Sequence, residues 1–159
     1  MEFHNIKPIY NKDSKILILG SFPSVKSREE EFFYAHPQNR FWKVISTITN
    51  YPLPKTVKEK KEMLLNSHIA VFDVIESCDI VGSSDSSIKN VKANDLKVII
   101  DNSKIKNIFL NGGTAFNLYK KYNKDIDISY KKLPSTSPAN ARYSLEMLLD
   151  EWMEIKKYI

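Results

Sequence analysis

The sequence predicts a three-layer α/β domain built on a mostly parallel central sheet. Two observations carry that prediction. Short continuous apolar runs, Lys15–Leu19, Ile69–Ile75 and Ile105–Leu110, have the length and character of strands buried on both faces. Between them lie segments of helical spacing, and strand–helix alternation at these lengths makes parallel βαβ units. A chain of 159 residues fits one domain, 1–159, with room for a real core.

Taken in order, residues 1–14 are a polar, extended lead-in ending in the turn Asn11-Lys12-Asp13-Ser14. The first strand, Lys15–Leu19, stops at Gly20, and the charged stretch Val25–Phe33 reads as loop with a short helix. From Arg40 to Ile48 the apolar positions Phe41, Trp42, Val44, Ile45 and Ile48 follow helical spacing, with Pro37 before them and Asn39 where an N-cap belongs. Tyr51-Pro52-Leu53-Pro54 breaks that helix, and Val57–Leu65 forms a lysine-rich amphipathic one. Ile69–Ile75 is the second strand. Ser77–Ile88 reads as a single small-residue loop, long enough to be functional.

Asn94-Asp95 caps a short helix running through Ile100, and the third strand, Ile105–Leu110, ends at Asn111-Gly112-Gly113. Thr114–Tyr122 is helical. Ile126, Ile128 and Tyr130 alternate with polar residues as a fourth strand. The last helix carries Ala141, Leu145, Leu148, Trp152 and Ile155 on one stripe, with Ser137 as its cap and Pro138 at its first position.

Composition narrows the function classes. With 42% apolar and 27% charged residues the chain is globular, and no apolar run approaches the roughly 18 residues of a membrane span. The N-terminus lacks the apolar stretch of a secretory signal, so a cytoplasmic protein is expected. The single cysteine, Cys78, rules out an internal disulfide and a four-cysteine cluster. His4, His36 and His68 match no metal-ligand spacing, so neither metal nor cofactor is expected. A net charge of +5 is compatible with a polyanionic partner but does not require one.

Right-handed crossovers put the carboxyl ends of parallel strands on one sheet edge. Three loops then share one cleft: Gly20–Asn39, Asp73–Ser87 and Lys132–Pro138. None holds a Walker lysine motif, a G-x-G-x-x-G fingerprint or a nucleophile elbow. Asn39 reads either as a helix cap or as an amide that fixes a water or a base edge. Asp73, an acid inside an apolar strand, is costly unless it is paired or lies at the mouth of the cleft. Asn111 before two glycines suits a turn. Ser135-Thr136-Ser137 suits a helix cap or a phosphate contact, and Phe22 and Tyr34 suit either core or base stacking.

Gly20-Ser21-Phe22-Pro23-Ser24, Tyr34-Ala35-His36-Pro37-Gln38-Asn39-Arg40-Phe41-Trp42, Asp73-Val74-Ile75-Glu76-Ser77-Cys78, Gly82-Ser83-Ser84-Asp85-Ser86-Ser87-Ile88 and Leu133-Pro134-Ser135-Thr136-Ser137-Pro138 resemble the hypoxanthine-DNA glycosylases. That family belongs to the uracil-DNA glycosylase superfamily, and the resemblance keeps the family's order from about residue 6 to residue 155. It implies an α/β/α sandwich with a four-stranded parallel sheet and a monofunctional, monomeric enzyme. Such an enzyme flips a deaminated base from DNA and hydrolyses its glycosidic bond. Hypoxanthine is the implied base. A broader uracil and xanthine activity, or a non-catalytic binder of damaged DNA or nucleotides, is the alternative.

The resemblance also implies roles. Asn39 is the catalytic residue. Ser21, Phe22, Tyr34, Asp73 and Asn111 hold the base, with Asp73 accepting from a ring N–H. Ser24, His36, Ser135, Thr136 and Ser137 contact DNA. Three departures stand out: Phe22 occupies the place where many relatives carry a water-orienting Asn or Asp, Asp73 the place of an Asn that reads the base edge, and Leu133 the place of the histidine of uracil enzymes.

Overall fold

The computed structural model describes residues 1–159. Strands β2 (Ile16–Gly20), β3 (Ile69–Asp73), β6 (Asn107–Asn111) and β7 (Ser129–Leu133) form an all-parallel sheet in the order β3-β2-β6-β7. Every residue of β2 and β3 is buried, as continuous apolar runs covered on both faces require. The chain passes from β2 outward to β3, then crosses back to β6 and on to β7. Right-handed crossovers therefore put α2 (Phe41–Thr49) and α3 (Val57–Asn66) on one face, and α4 (Lys97–Asp101) and α5 (Gly113–Tyr122) on the other. Helix α6 (Leu145–Trp152) packs on α2, which closes the first face. A core of 32 buried residues runs through all three layers, and Trp152, Tyr119 and Phe41 are its largest fully enclosed side chains.

Register brings the strand ends together. Gly20 lies beside Asp73, Leu19 beside Leu110, and Asn111 beside Leu133. The direction of winding reverses between β2 and β6, so the crevice at those two strand ends is the position where open α/β sheets receive ligands.

Five features differ from the sequence reading. The run Ile69–Ile75 is two strands, because the chain breaks at Val74 and enters a separate antiparallel sheet. That sheet has the order β1-β4-β5, formed by β1 (Glu2–Phe3), β4 (Ile75–Asp79) and β5 (Lys89–Ala93). Residues 77–79 are consequently strand, not loop. Their small side chains hide the pattern, although Ser77 is buried and Cys78 packs with Ile75 and Phe22 in a satellite core. The fourth parallel strand begins at Ser129, with Ile126 and Ile128 packed on the core just before it.

The last helix starts at Leu145, capped by the Ser144 hydroxyl, which accepts from the Met147 N–H at 3.2 Å. Ser137 is not its cap. Arg40 donates to the carbonyl oxygens of Ser137 (3.0 Å), Asn140 (3.1 Å) and Tyr143, oxygens that a helix through this segment would need for its own ladder. Finally, α2 begins one residue later than expected. Arg40 is its N-cap and supplies no side-chain bond, whereas the Asn39 carbonyl oxygen accepts from the Phe41 N–H at 3.0 Å.

Candidate active site

At the reversal point the strand ends and their loops enclose a cavity of about 320 Å³, at the small end of ligand pockets. Its wall includes ten of the eleven residues singled out from sequence: Ser21, Phe22, Ser24, Tyr34, Asn39, Asp73, Asn111, Ser135, Thr136 and Ser137. His36 is the exception. It lies outside the wall, and its Nδ1 accepts from the Gln38 N–H at 3.1 Å within its own turn.

The closest packing is at the end of β2. A Cβ at Gly20 would sit 2.7 Å from Asp73 Oδ1 and 3.2 Å from the Tyr34 hydroxyl, so only glycine lets the two polar groups approach the strand. Asp73 is 4% exposed, and its Oδ2 has no hydrogen-bond partner. Burial, aided by the charge of Asp85, pushes its carboxyl up to about 7. The Tyr34 hydroxyl is also buried and unpartnered, and burial together with the Asp73 charge raises its pKa. The Tyr34 backbone is left-handed (φ 49°), and its ring stacks on Phe41 with centroids 4.0 Å apart. That stack fixes which way the hydroxyl points.

A second set of groups forms a chain of hydrogen bonds. Asn111 Nδ2 donates to Thr136 Oγ1 (3.0 Å), and Asn111 Oδ1 accepts from the Thr136 N–H (3.0 Å). Thr136 Oγ1 then donates to Asn39 Oδ1 (2.8 Å). Thr136 has no exposed surface, so its hydroxyl cannot reach a phosphate. It ties two amides together instead. Asn39 Oδ1 accepts from both Thr136 and Phe41, which fills its two lone pairs and leaves Nδ2 as the free group of that amide.

The serines mostly cap their own turns. Ser135 Oγ accepts from the Ser137 N–H (3.1 Å), Ser137 Oγ from the Ala139 N–H (3.1 Å), and Ser24 Oγ from the Ser27 N–H (3.2 Å) at the start of α1 (Val25–Glu30). Gly112, at φ 98°, has room only because it lacks a side chain: a Cβ there would meet Ser135 Cβ at 3.1 Å. Phe22 is 8% exposed, packed edge-on against His4 with Arg28 over its ring.

The far wall is formed by Ser83, Ser84, Asp85 and Ser86, in a loop the sequence places at the cleft without singling out any of these residues. This loop is fastened at three points. Ser83 Oγ accepts from the Val25 N–H (2.9 Å), Arg28 donates to the Gly82 carbonyl (2.6 Å), and Ser21 Oγ donates to Asp85 Oδ1 (3.2 Å). Burial of the Asp85 carboxyl raises its pKa, and hydrogen bonds from Ser21 and Thr114 oppose the rise. The available signal was an acid set among serines after a strand end. No lysine, arginine or histidine lines the cavity, which suits a neutral, flat, polar ligand better than a phosphate. No group of three or more His, Cys, Asp and Glu side chains is gathered for a metal, and no helix is long and apolar enough to cross a membrane.

Comparison with known proteins agrees with the fold. The family profile described as the uracil DNA glycosylase superfamily matches residues 7–156. A hypoxanthine DNA glycosylase of Methanosarcina acetivorans is 33% identical over 140 residues, covering 86% of this chain and 87% of the relative. A hypoxanthine DNA glycosylase of Methanosarcina barkeri is 28% identical over 158 residues, covering 99% of both. Among solved structures, a solution NMR structure from Methanosarcina acetivorans, provisionally named a uracil DNA glycosylase, superposes with a TM-score of 0.83. It is 28% identical and covers 99% of this chain and 98% of its own.

Proposed function

Because the chain belongs to the uracil DNA glycosylase superfamily, we propose that it removes deaminated bases from DNA, hypoxanthine first among them, by hydrolysing the N-glycosidic bond. The observation that carries this reading is the cation-free cavity at the sheet's reversal point, where Asn39, Asp73 and Asn111 meet under one set of hydroxyls. A base turned out of the duplex is uncharged and flat, and is read by stacking and by hydrogen bonds to its edge. Phe22 and Tyr34 contribute rings to the wall, and Asp73 contributes a buried carboxyl.

The chemistry suits these groups. Glycosidic cleavage passes through a cation-like sugar, so the attacking water needs placement more than deprotonation. We assign that placement to Asn39. With its carbonyl oxygen engaged by Thr136 and Phe41, the amide acts through Nδ2, donating to the lone pair of a water or a sugar oxygen. Thr136 is assigned a positioning role in place of a phosphate contact, and Asn111 acts largely through it. Ser21, Ser24, Ser135 and Ser137 line the route by which the sugar and its phosphates would enter. The whole chain acts as one domain, as a monomer in the cytoplasm, without metal or cofactor.

The test is a panel of duplexes carrying hypoxanthine, uracil or xanthine, scored for alkali-labile sites in the presence of EDTA. Abasic product is expected from the hypoxanthine duplex, and at a lower rate from uracil, since Leu133 supplies no imidazole. Salt-sensitive DNA binding without any abasic product would mean a binding protein instead.

A further inference from the structure

Asp73 is the one buried acid among the residues of the cavity wall, and its surroundings decide in which form it works. It is 4% exposed, and Oδ2 has no partner. The titratable groups that face it are the Tyr34 hydroxyl, 3.2 Å from the same Gly20 Cβ position, and the Asp85 carboxyl held by Ser21 on the opposite wall. Arg28, the cation over Phe22, is not among the lining residues and is paired with Glu2 at 3.2 Å. His4 packs on Phe22 and Phe72 and bonds the Ile75 carbonyl oxygen. A carboxylate anion buried beside a cavity that has an acid at its rim and no cation is costly, and a carboxylic acid is not.

We infer that Asp73 works as the neutral acid, making a two-point pair with the lactam edge of the flipped base. Its carbonyl oxygen accepts from the ring N–H and its O–H donates to the exocyclic oxygen. This deepens the glycosylase reading and rests on it. It defines the substrate class as bases with adjacent C=O and N–H groups, an edge that hypoxanthine shares with xanthine and uracil. It also supplies the leaving-group donor that Leu133 cannot. When the bond between C1′ and the base breaks, the electron pair stays on the base and its charge spreads to the exocyclic oxygen. The hydrogen bond from Asp73 then strengthens as that charge develops. The proton remains on Asp73. Water adds to C1′ and releases its proton to solvent, from which the departed base anion is protonated.

The upward shift of the carboxyl to about 7 agrees with this form at neutral pH. The acid is present below that value and is lost as pH rises through it, so the rate should fall on the alkaline side. Asp73→Asn keeps an acceptor oxygen and a donor N–H but cannot ionise, whereas Asp73→Ala removes both. Single-turnover cleavage of a deoxyinosine duplex should be followed from pH 6 to 9. The wild-type rate should fall about tenfold per pH unit above its midpoint. Asp73→Asn should lack that limb, so its rate relative to wild type climbs by the same factor. Asp73→Ala should be slower by about 100-fold throughout. Asp73→Asn as slow as Asp73→Ala at every pH, or sharing the wild-type limb, would overturn the inference.

Carbon-13 titration of the Asp73 carboxyl in the free protein tests the same point without turnover. A midpoint near 7 is expected, and one below about 5 contradicts it. Failure of the wild-type chain to produce abasic sites from any duplex would count against the glycosylase reading alone.

Discussion

Thr136 shows how much of the site is set by groups that never touch a ligand. It is wholly buried and hydrogen-bonded to Asn111 by both backbone and side chain, and its proton goes to Asn39. Thr136→Val removes the hydroxyl at nearly constant shape and leaves the Asn39 oxygen and the Asn111 amide each without one partner. That should cost on the order of 1–3 kcal/mol in urea denaturation. It should also lower the single-turnover rate beyond what the lost stability explains, because the Asn39 oxygen is then held by the Phe41 N–H alone. Thr136→Ser restores the hydroxyl and should recover most of both. A Thr136→Val protein that is less stable but cleaves at the wild-type rate would show that the bond serves the fold only. The sequence offered three adjacent hydroxyls with nothing to separate them, and only burial distinguishes the middle one. Asn39 was legible as an important amide, but which of its two ends faces the cavity depends on a partner 97 residues away.

Among the elements, the segment from Ser137 to Ser144 is the most instructive. Its apolar spacing continues that of the last helix, and Pro138 suits a first helical turn, so a helix was the natural reading. Arg40 overrides it by taking three carbonyl oxygens from across the fold. Local pattern cannot report such a tertiary contact, nor the small-residue strand Ile75–Asp79, whose burial depends on packing with Phe22. The long apolar strands, by contrast, were read to within a residue or two, because burial on both faces leaves its mark in composition. Arg40→Ala should release the Ser137–Ser144 turn, lowering stability by about 2–3 kcal/mol and speeding amide exchange at Asn140 and Tyr143. Arg40→Lys should rescue little, since an ammonium cannot span three acceptors as a planar fork does. Unchanged exchange in the alanine variant would mean that the turn holds itself.

At the scale of the whole molecule, the parallel sheet determines where chemistry is possible. Its order β3-β2-β6-β7 brings Gly20, Asp73, Asn111 and Leu133 to one edge, and the reversal between β2 and β6 opens the crevice there. The antiparallel sheet β1-β4-β5 then carries the serine loop and Asp85 to the far wall. Sequence singled out the residues of the first wall because they differ in chemistry, and placed the second wall's loop at the cleft without picking out Asp85, because a run of serines has no periodicity. On the proposed function, a basic chain with a cation-free cavity divides its labour, the surface meeting the polyanion and the cavity taking an uncharged base. The proposed function rests catalysis in that cavity on Asn39. The most direct measurement is single-turnover cleavage of a duplex containing one deoxyinosine, comparing the wild-type chain with Asn39→Ala and identifying the released base. Free hypoxanthine and an abasic strand from wild type, with a loss of at least about 100-fold in Asn39→Ala, is the predicted result. Equal rates for the two proteins, or no hypoxanthine released by either, would contradict it.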